Sequence, residues 1–308
     1  MTEKKHSNVQ IADIDSEMWL STIAEGGCFI LAESAINDEV PSLAENINGF
    51  SLEYSRLYWD ETGRIHASIS PYLINVTEDN WPMLKEKVCH QAHWGVGIQL
   101  EWYMNAYTPA QQLTELLSHL REWTWLESQN GESRLLRLSD WKVLSTLMQA
   151  SSNDEVSAIF GPIAQFVSLE GETLSAMTRL VKQKSEIPQR TPQQLSEQQW
   201  HALEHMEQGD QFAAYKDHLK THHKETLSWP KERLHSFVEQ QTKVANDQGF
   251  SNRQDTVKFL SLSLIFGQTF VSQEWAKKVL KAKQEGTKTK MEKLYQAALN
   301  ELDKEVSV

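Results

Sequence analysis

Gly26-Gly27-Cys28-Phe29-Ile30-Leu31-Ala32 is the stretch whose reading decides the fold. Five apolar residues run without interruption after a glycine pair, the pattern of a short strand buried on both faces. Just upstream, Ile14, Met18 or Trp19, and Ile23 recur at helical spacing, so Ile11–Ala24 is expected to form a helix that the glycine pair ends. A chain that switches from the helical period to the strand pattern in this way reads as α/β.

The same alternation continues outward. Ser55–Trp59 and Tyr72–Val76 read as strands, Thr77–Ala92 as a helix, and Trp94–Trp102 as a strand containing Gly95 and Gly97. Thr108-Pro109-Ala110-Gln111 announces a helix to about Glu122: Thr caps, Pro suits the first turn and Gln stands at the capping-box position. Trp123–Ser128 and Ser133–Leu138 flank Asn130-Gly131 and read as a hairpin, because Asn-Gly tolerates a tight primed turn. Asp140 is placed to cap a helix to about Ala150; a short helix to Phe160, a Gly161-Pro162 break and the apolar run Ile163–Leu169 follow.

Residues 184–194 are polar, hold two prolines and read as a linker. Beyond them every signal is helical. Ser196–Gln199 is a capping box ahead of Trp200, Leu203 and Met206; Phe212, Tyr215 and Leu219 continue that face. Leu234, Phe237, Val238, Gln241 and Val244 line another helix, which Gly249-Phe250 ends as a left-handed cap with an apolar follower. Ser251-Asn252-Arg253-Gln254 reads as a further capping box, and Thr256–Phe266, Val271–Gln284 and Lys288–Asp303 as helices. The expectation is an α/β lobe over residues 1–186, a mixed sheet with flanking helices, followed by an all-α lobe over residues 187–308.

The 308 residues are 40% hydrophobic and 23% charged, enough apolar material for a sizeable core. Two cysteines make no disulfide framework, Met1–Gln10 has no apolar signal core, and no apolar run approaches the ~20 residues needed to span a bilayer. A cytoplasmic protein without stable membrane insertion is expected. Residues 1–186 hold 13 Lys+Arg against 26 Asp+Glu, a net of −13, while residues 187–308 hold 17 against 16, a net of +1. The acidic first half disfavours nucleic acid and anionic membranes.

Candidate chemistry is sparse. Cys89-His90-Gln91-Ala92-His93 brings a Cys and a His into helical register, and a metal-dependent hydrolase using Cys89, His90 and His93 is the alternative reading. A structural zinc needs four ligands, and the one other cysteine is Cys28. His218, His222 and His223, with Asp217 and Glu225, form a second cluster that reads as a polar helix face running into a loop. There is no Gly-x-Ser-x-Gly nucleophile turn, and Trp94-Gly95-Val96-Gly97 is a glycine pair inside a strand, without the helix that a phosphate loop opens. Close backbone packing accounts for it. The seven lysines of Lys277–Lys293 read as a solvated helix face. No catalytic residue, metal or cofactor is assigned.

Ordered motifs then carry a resemblance. Phe29-Ile30-Leu31-Ala32-Glu33-Ser34-Ala35, Ser55-Arg56-Leu57-Tyr58-Trp59, Ile69-Ser70-Pro71-Tyr72-Leu73-Ile74 and His93-Trp94-Gly95-Val96-Gly97-Ile98 are similar to successive strand signatures of the family called domain of unknown function four-one-two-three. Leu135–Trp141, Phe160-Gly161-Pro162-Ile163 and Leu195–Trp200 complete the series, and Asn246–Phe270 resembles the helical extension common in these proteins. Ser70 replaces the usual Gly, and the aromatic and Pro that usually close the fifth motif are missing or moved. The resemblance implies an effector chaperone, or adaptor, of bacterial type VI secretion: a non-catalytic protein that binds a cognate effector in the cytoplasm and helps load it onto the spike protein VgrG.

Such a partner needs anchors, and Trp, Tyr and Arg are the usual ones. The chain has 11 Trp. Trp102, Tyr103 and Tyr107 lead out of a strand into a loop and are the leading protein-binding candidates, with Trp81 next; Phe259, Leu262 and Phe266 are candidates on the helical side. The two-lobe layout suggests a groove that shields an apolar segment of the effector. The acidic half suggests steering toward a basic patch on the effector or spike.

Overall fold

A computed structural model describes residues 8–45, 53–128, 131–169, 174–180, 194–282 and 289–306. The expected linker at 184–194 falls almost wholly outside these residues, as do Asn130 of the hairpin turn and Lys283 and Lys288 of the lysine run. The described chain divides into two compact units, Met1–Glu204 and His205–Val308. The α/β region precedes the all-α region, as the two hydrophobic periods require.

The first unit is built on a seven-stranded sheet of order β1(Val9–Ile14)-β9(Leu174–Arg179)-β8(Ile163–Ser168)-β5(Gly95–Leu100)-β2(Cys28–Ala32)-β4(Tyr72–Val76)-β3(Tyr54–Arg56). Every pairing in it is antiparallel, so the expected mixed sheet is corrected to one of uniform sense. A strand covered on both faces has the same unbroken apolar run in either orientation, which is why the run could not give strand direction. β2, flanked by β5 and β4, is buried at every position. Its Cys28, Ile30 and Ala32 face a core shared with Trp19 and Ile23 of α1 (Ser16–Glu25), Val40 and Ala44 of α2 (Glu39–Glu45), and Trp81 and Leu84 of α4 (Trp81–Lys87). The opposite face is packed by α5 (Pro109–Glu122) on β3 and β4 and by α7 (Asn153–Phe160) on β8 and β9; Phe160 meets Phe166 edge-on at 5.3 Å.

The expected helix over Ile11–Ala24 is corrected. Val9–Ile14 is the edge strand β1, and the helix begins at Ser16 behind Asp15, whose carboxylate accepts from Met18 N at 2.7 Å. Ile11 and Ile14 mimic helical spacing because an edge strand with four exposed positions loses its alternation. The helix expected over Thr77–Ala92 is shorter, Trp81–Lys87, because Asn80 closes a turn on Thr77 first. The hairpin forms as β6 (Trp125–Glu127) and β7 (Ser133–Leu135). Asp140 caps α6 (Trp141–Ala150) as expected, accepting from Lys142 N and Val143 N. α3 (Asp60–Ile65) follows β3.

Gly95 and Gly97 are explained by approach. A Cβ on Gly95, whose φ is +151°, would stand 2.0 Å from the Leu31 carbonyl oxygen; one on Gly97 would meet the Trp19 ring at 3.1 Å. Glu33, just past β2 and 2% exposed, accepts from Ser139 Oγ and lies 3.4 Å from Arg137 Nε, which ties the turn before α6 to the sheet.

α8 (Glu197–His222) opens with the expected Ser196/Gln199 capping box and crosses the division between the units. In the second unit Tyr215, Leu219, Leu234, Phe237, Val238 and Leu260 form one cluster of α8, α9 (Lys231–Asp247) and α10 (Arg253–Ile265). A second cluster joins Phe250, Phe259, Leu262, Phe270 and Ala276 to Met291 and Leu294, bringing in α11 (Glu274–Lys281) and α12 (Lys290–Val306). The cap of α10 is Asn252, one residue later than expected, and it accepts from Asp255 N at 2.9 Å. Among the described residues no helix is long and apolar enough to cross a membrane.

Candidate functional site

The registers of β2 with β4 and β5 bring three chain segments to one end of the sheet. Cys28 lies opposite Val76 on one side and Gln99 on the other, so the start of β2 shares that end with the last residues of β4 and β5. Leu100 N donates to Gly27 O at 2.9 Å and Glu101 N to Pro162 O at 2.9 Å, which holds the chain as it leaves β5. A 3-10 turn over Trp102–Ala106 follows. Met104 is its buried anchor, and Gln112 Nε2 donates to Met104 O at 2.9 Å. Thr108 and Gln111 close the capping box of α5 immediately after.

Because Met104 takes the inward position, its neighbours face water. Trp102 is 80% exposed, Tyr103 44% and Tyr107 45%. The Trp102 and Tyr103 rings meet edge-on at 6.3 Å. Glu101 pairs with Arg179, whose guanidinium sits 5.6 Å over the Phe160 ring, so a β9 residue braces the base of the turn. Partial burial first, then the nearby Glu101, pushes the Tyr103 phenol above its ordinary range. An aromatic trio that stays exposed on an anchored turn can donate hydrogen bonds and stack without prior ordering.

Tyr107 and Asn105 of this turn line a cleft of about 370 Å³. Gly26 and Gly27, Asn75, Glu78, Asn105 and Gln112 contribute other parts of the lining. In the sequence the glycine pair signals only a helix stop, and nothing there marks the cleft. Its wall draws on α1, β4 and the β5–α5 connection, and no local pattern joins them.

The other candidates are placed differently. Trp81 is 6% exposed and packs edge-on against Trp19 at 5.9 Å, inside the first unit's core. Phe259 and Leu262 are buried in the second unit's core, and Phe266 is half-buried against Trp275 at 4.9 Å. These four candidates pack within the cores of their own units, and the trio at the sheet end is the exposed set.

Among the described residues no group of three or more His, Cys, Asp or Glu is placed to hold a metal, and Cys89, His90 and His93 are no exception. Burial pushes the Cys89 thiol far up and the Cys28 thiol to about 12, so both remain protonated and unreactive near neutral pH. The His218 and His222 rings lie 4.3 Å apart, and His218 is held below its ordinary value by burial first, then by His222 and His223. His223 Nε2 instead meets Ser261 Oγ at 2.9 Å.

Residues 28–158 match the family model described as Domain of unknown function (DUF4123), and a DUF4123 domain is present there. The match runs from the first residue of β2 into α7 and includes the aromatic turn, whereas β1, β8 and β9 of the same sheet lie outside it. No curated protein and no solved structure matches the chain.

Proposed function

We propose that this chain is a non-catalytic, cytoplasmic adaptor that binds a cognate type VI secretion effector, keeps it soluble and helps load it onto the VgrG spike. The observation that carries the reading is the exposure of Trp102, Tyr103 and Tyr107 together on one anchored turn beside a cleft. Folding gains nothing from leaving three large aromatics in water; association with another protein does, because such residues are the commonest interface anchors. The DUF4123 match over residues 28–158 supports the same reading through the resemblance of the strand motifs.

The test is co-expression of the tagged chain with the genes that neighbour its own, followed by purification. A large effector eluting at stoichiometric amount, and insoluble without this chain, is the expected result. Elution alone, with an equimolar metal or a small ligand, would overturn the adaptor reading and favour the hydrolase that Cys89, His90 and His93 first suggested.

A further inference from the structure

We infer that the cleft at the sheet end receives a lysine or arginine side chain from an extended segment of the bound protein, with Trp102 and Tyr103 covering the apolar residues on either side of it. The inference rests on the adaptor reading and adds the chemistry of the contact.

Three independent features converge on a cation. The first is charge: among the described residues Glu25 and Glu78 line the cleft, and no lysine, arginine or histidine does. The second is hydrogen-bonding capacity. Asn75 Nδ2 donates to Cys28 O at 3.4 Å and Gln112 Nε2 to Met104 O at 2.9 Å. With one donor of each amide committed to the fold, its side-chain oxygen is an acceptor open to a ligand. Asn105 Oδ1 approaches Gly27 so closely that a Cβ there would stand 3.3 Å away. An acceptor-rich wall suits an ammonium or guanidinium, which carries donors and no acceptor. The third is the aromatic rim: Tyr107 lines the cleft, and an aromatic face attracts a cation.

The occupant is a protein side chain rather than a free polyamine because Trp102 and Tyr103, on the same turn as the lining residues Asn105 and Tyr107, leave exposed rings to cover. Trp102, in edge contact with Tyr103, presents more apolar area than an isolated cation can use. The acidic balance of residues 1–186, net −13, attracts a basic segment from a distance.

The test follows backbone amide resonances of the whole chain while three peptides are added: acetyl-Gly-Leu-Lys-Leu-Gly-amide and its norleucine and glutamate counterparts. The lysine peptide is expected to shift Gly26, Gly27, Asn105 and Tyr107. Its affinity should fall about tenfold in the double variant Glu25→Gln/Glu78→Gln, a loss in the range expected for close charge pairs. Raising the salt from 0.1 to 0.5 M should weaken it several-fold in the unmodified chain and little in the variant. Both glutamates are exposed, so the variant should keep its melting temperature, which is measured alongside. Equal shifts with the norleucine peptide, or none with the lysine peptide, would overturn the inference. Spermidine binding as tightly as the lysine peptide would overturn the assignment to a protein side chain. Effector capture reads out separately: capture by the native chain with no peptide shift removes only the cationic contact, whereas no capture at all removes the adaptor reading.

Discussion

In the second unit Phe250, Phe259, Phe270 and Trp275 follow one another ring to ring, at 5.8, 4.9 and 5.8 Å, and Phe266 joins Trp275 at 4.9 Å. In the first unit Trp19, Trp81 and Trp94 are buried against the central strands, yet Trp102, Tyr103 and Tyr107 stand in water a few residues past β5. Aromatic content alone therefore says little about function. What separates the two regions is whether a ring is covered by its own chain. In the helical unit nearly every such ring is covered by others, so its aromatics serve stability; at the sheet end Trp102 and Tyr103 touch each other, yet all three rings stay exposed and open to another molecule.

The sharpest way to break this comparison is to remove the frame that holds the exposed trio. Gly95→Ala would place a methyl group 2.0 Å from Leu31 O at a left-handed φ, and β5 could not pair with β2. The expected result is loss of the folded first unit, at a cost of more than about 4 kcal/mol, seen as insolubility or a lost near-ultraviolet circular-dichroism signal. Next, Phe259→Ala in the aromatic chain should lower stability by about 3–5 kcal/mol in denaturant titration, since the ring is fully buried and touches two others.

A smaller effect comes from Cys28. Burial, with Glu25 as a lesser cause, raises its thiol from 9.0 to about 12 in the folded chain. Between those values the unfolded chain has lost a proton that the folded chain retains. The stability contributed by the neutral thiol is therefore complete below pH 9 and lost as pH rises toward 12. Cys28→Ser should flatten the alkaline limb of a stability-versus-pH curve; an unchanged limb would place the effect elsewhere. The smallest expected change in stability belongs to Trp102→Ala/Tyr103→Ala, within about 0.5 kcal/mol of the native chain, while effector capture weakens by at least about tenfold. Full capture by that folded double variant would end the case for this surface.

The strands that carry the sheet were legible because burial on both faces leaves an uninterrupted signature: Cys28–Ala32 and Tyr72–Val76 were read with their observed bounds. Caps were equally plain at Thr108, Asp140 and Ser196, where a side chain answers a backbone amide two or three residues away. β1 was not legible, because four of its six residues are exposed. Trp81 and Trp102 illustrate the limit for the site. Each stands near a strand end in the sequence, and only the long-range pairing decides that Trp81 meets Trp19 while Trp102 meets water. The cleft was hidden for the same reason, since its wall gathers segments from Ile23 to Gln112.

The pairing of β1 with β9 has a consequence in time. Val9 lies opposite Arg179, so β1 waits about 170 residues for the strand it pairs with. At translation rates of about 5–20 residues per second, the wait on the ribosome is roughly 10–30 s. In its second half, once β5 and the turn after it have been made, β2, β4 and β5 can already assemble around Gly95, while Glu101 still lacks the Arg179 that braces it. The nascent chain thus presents its three exposed rings before their support is complete.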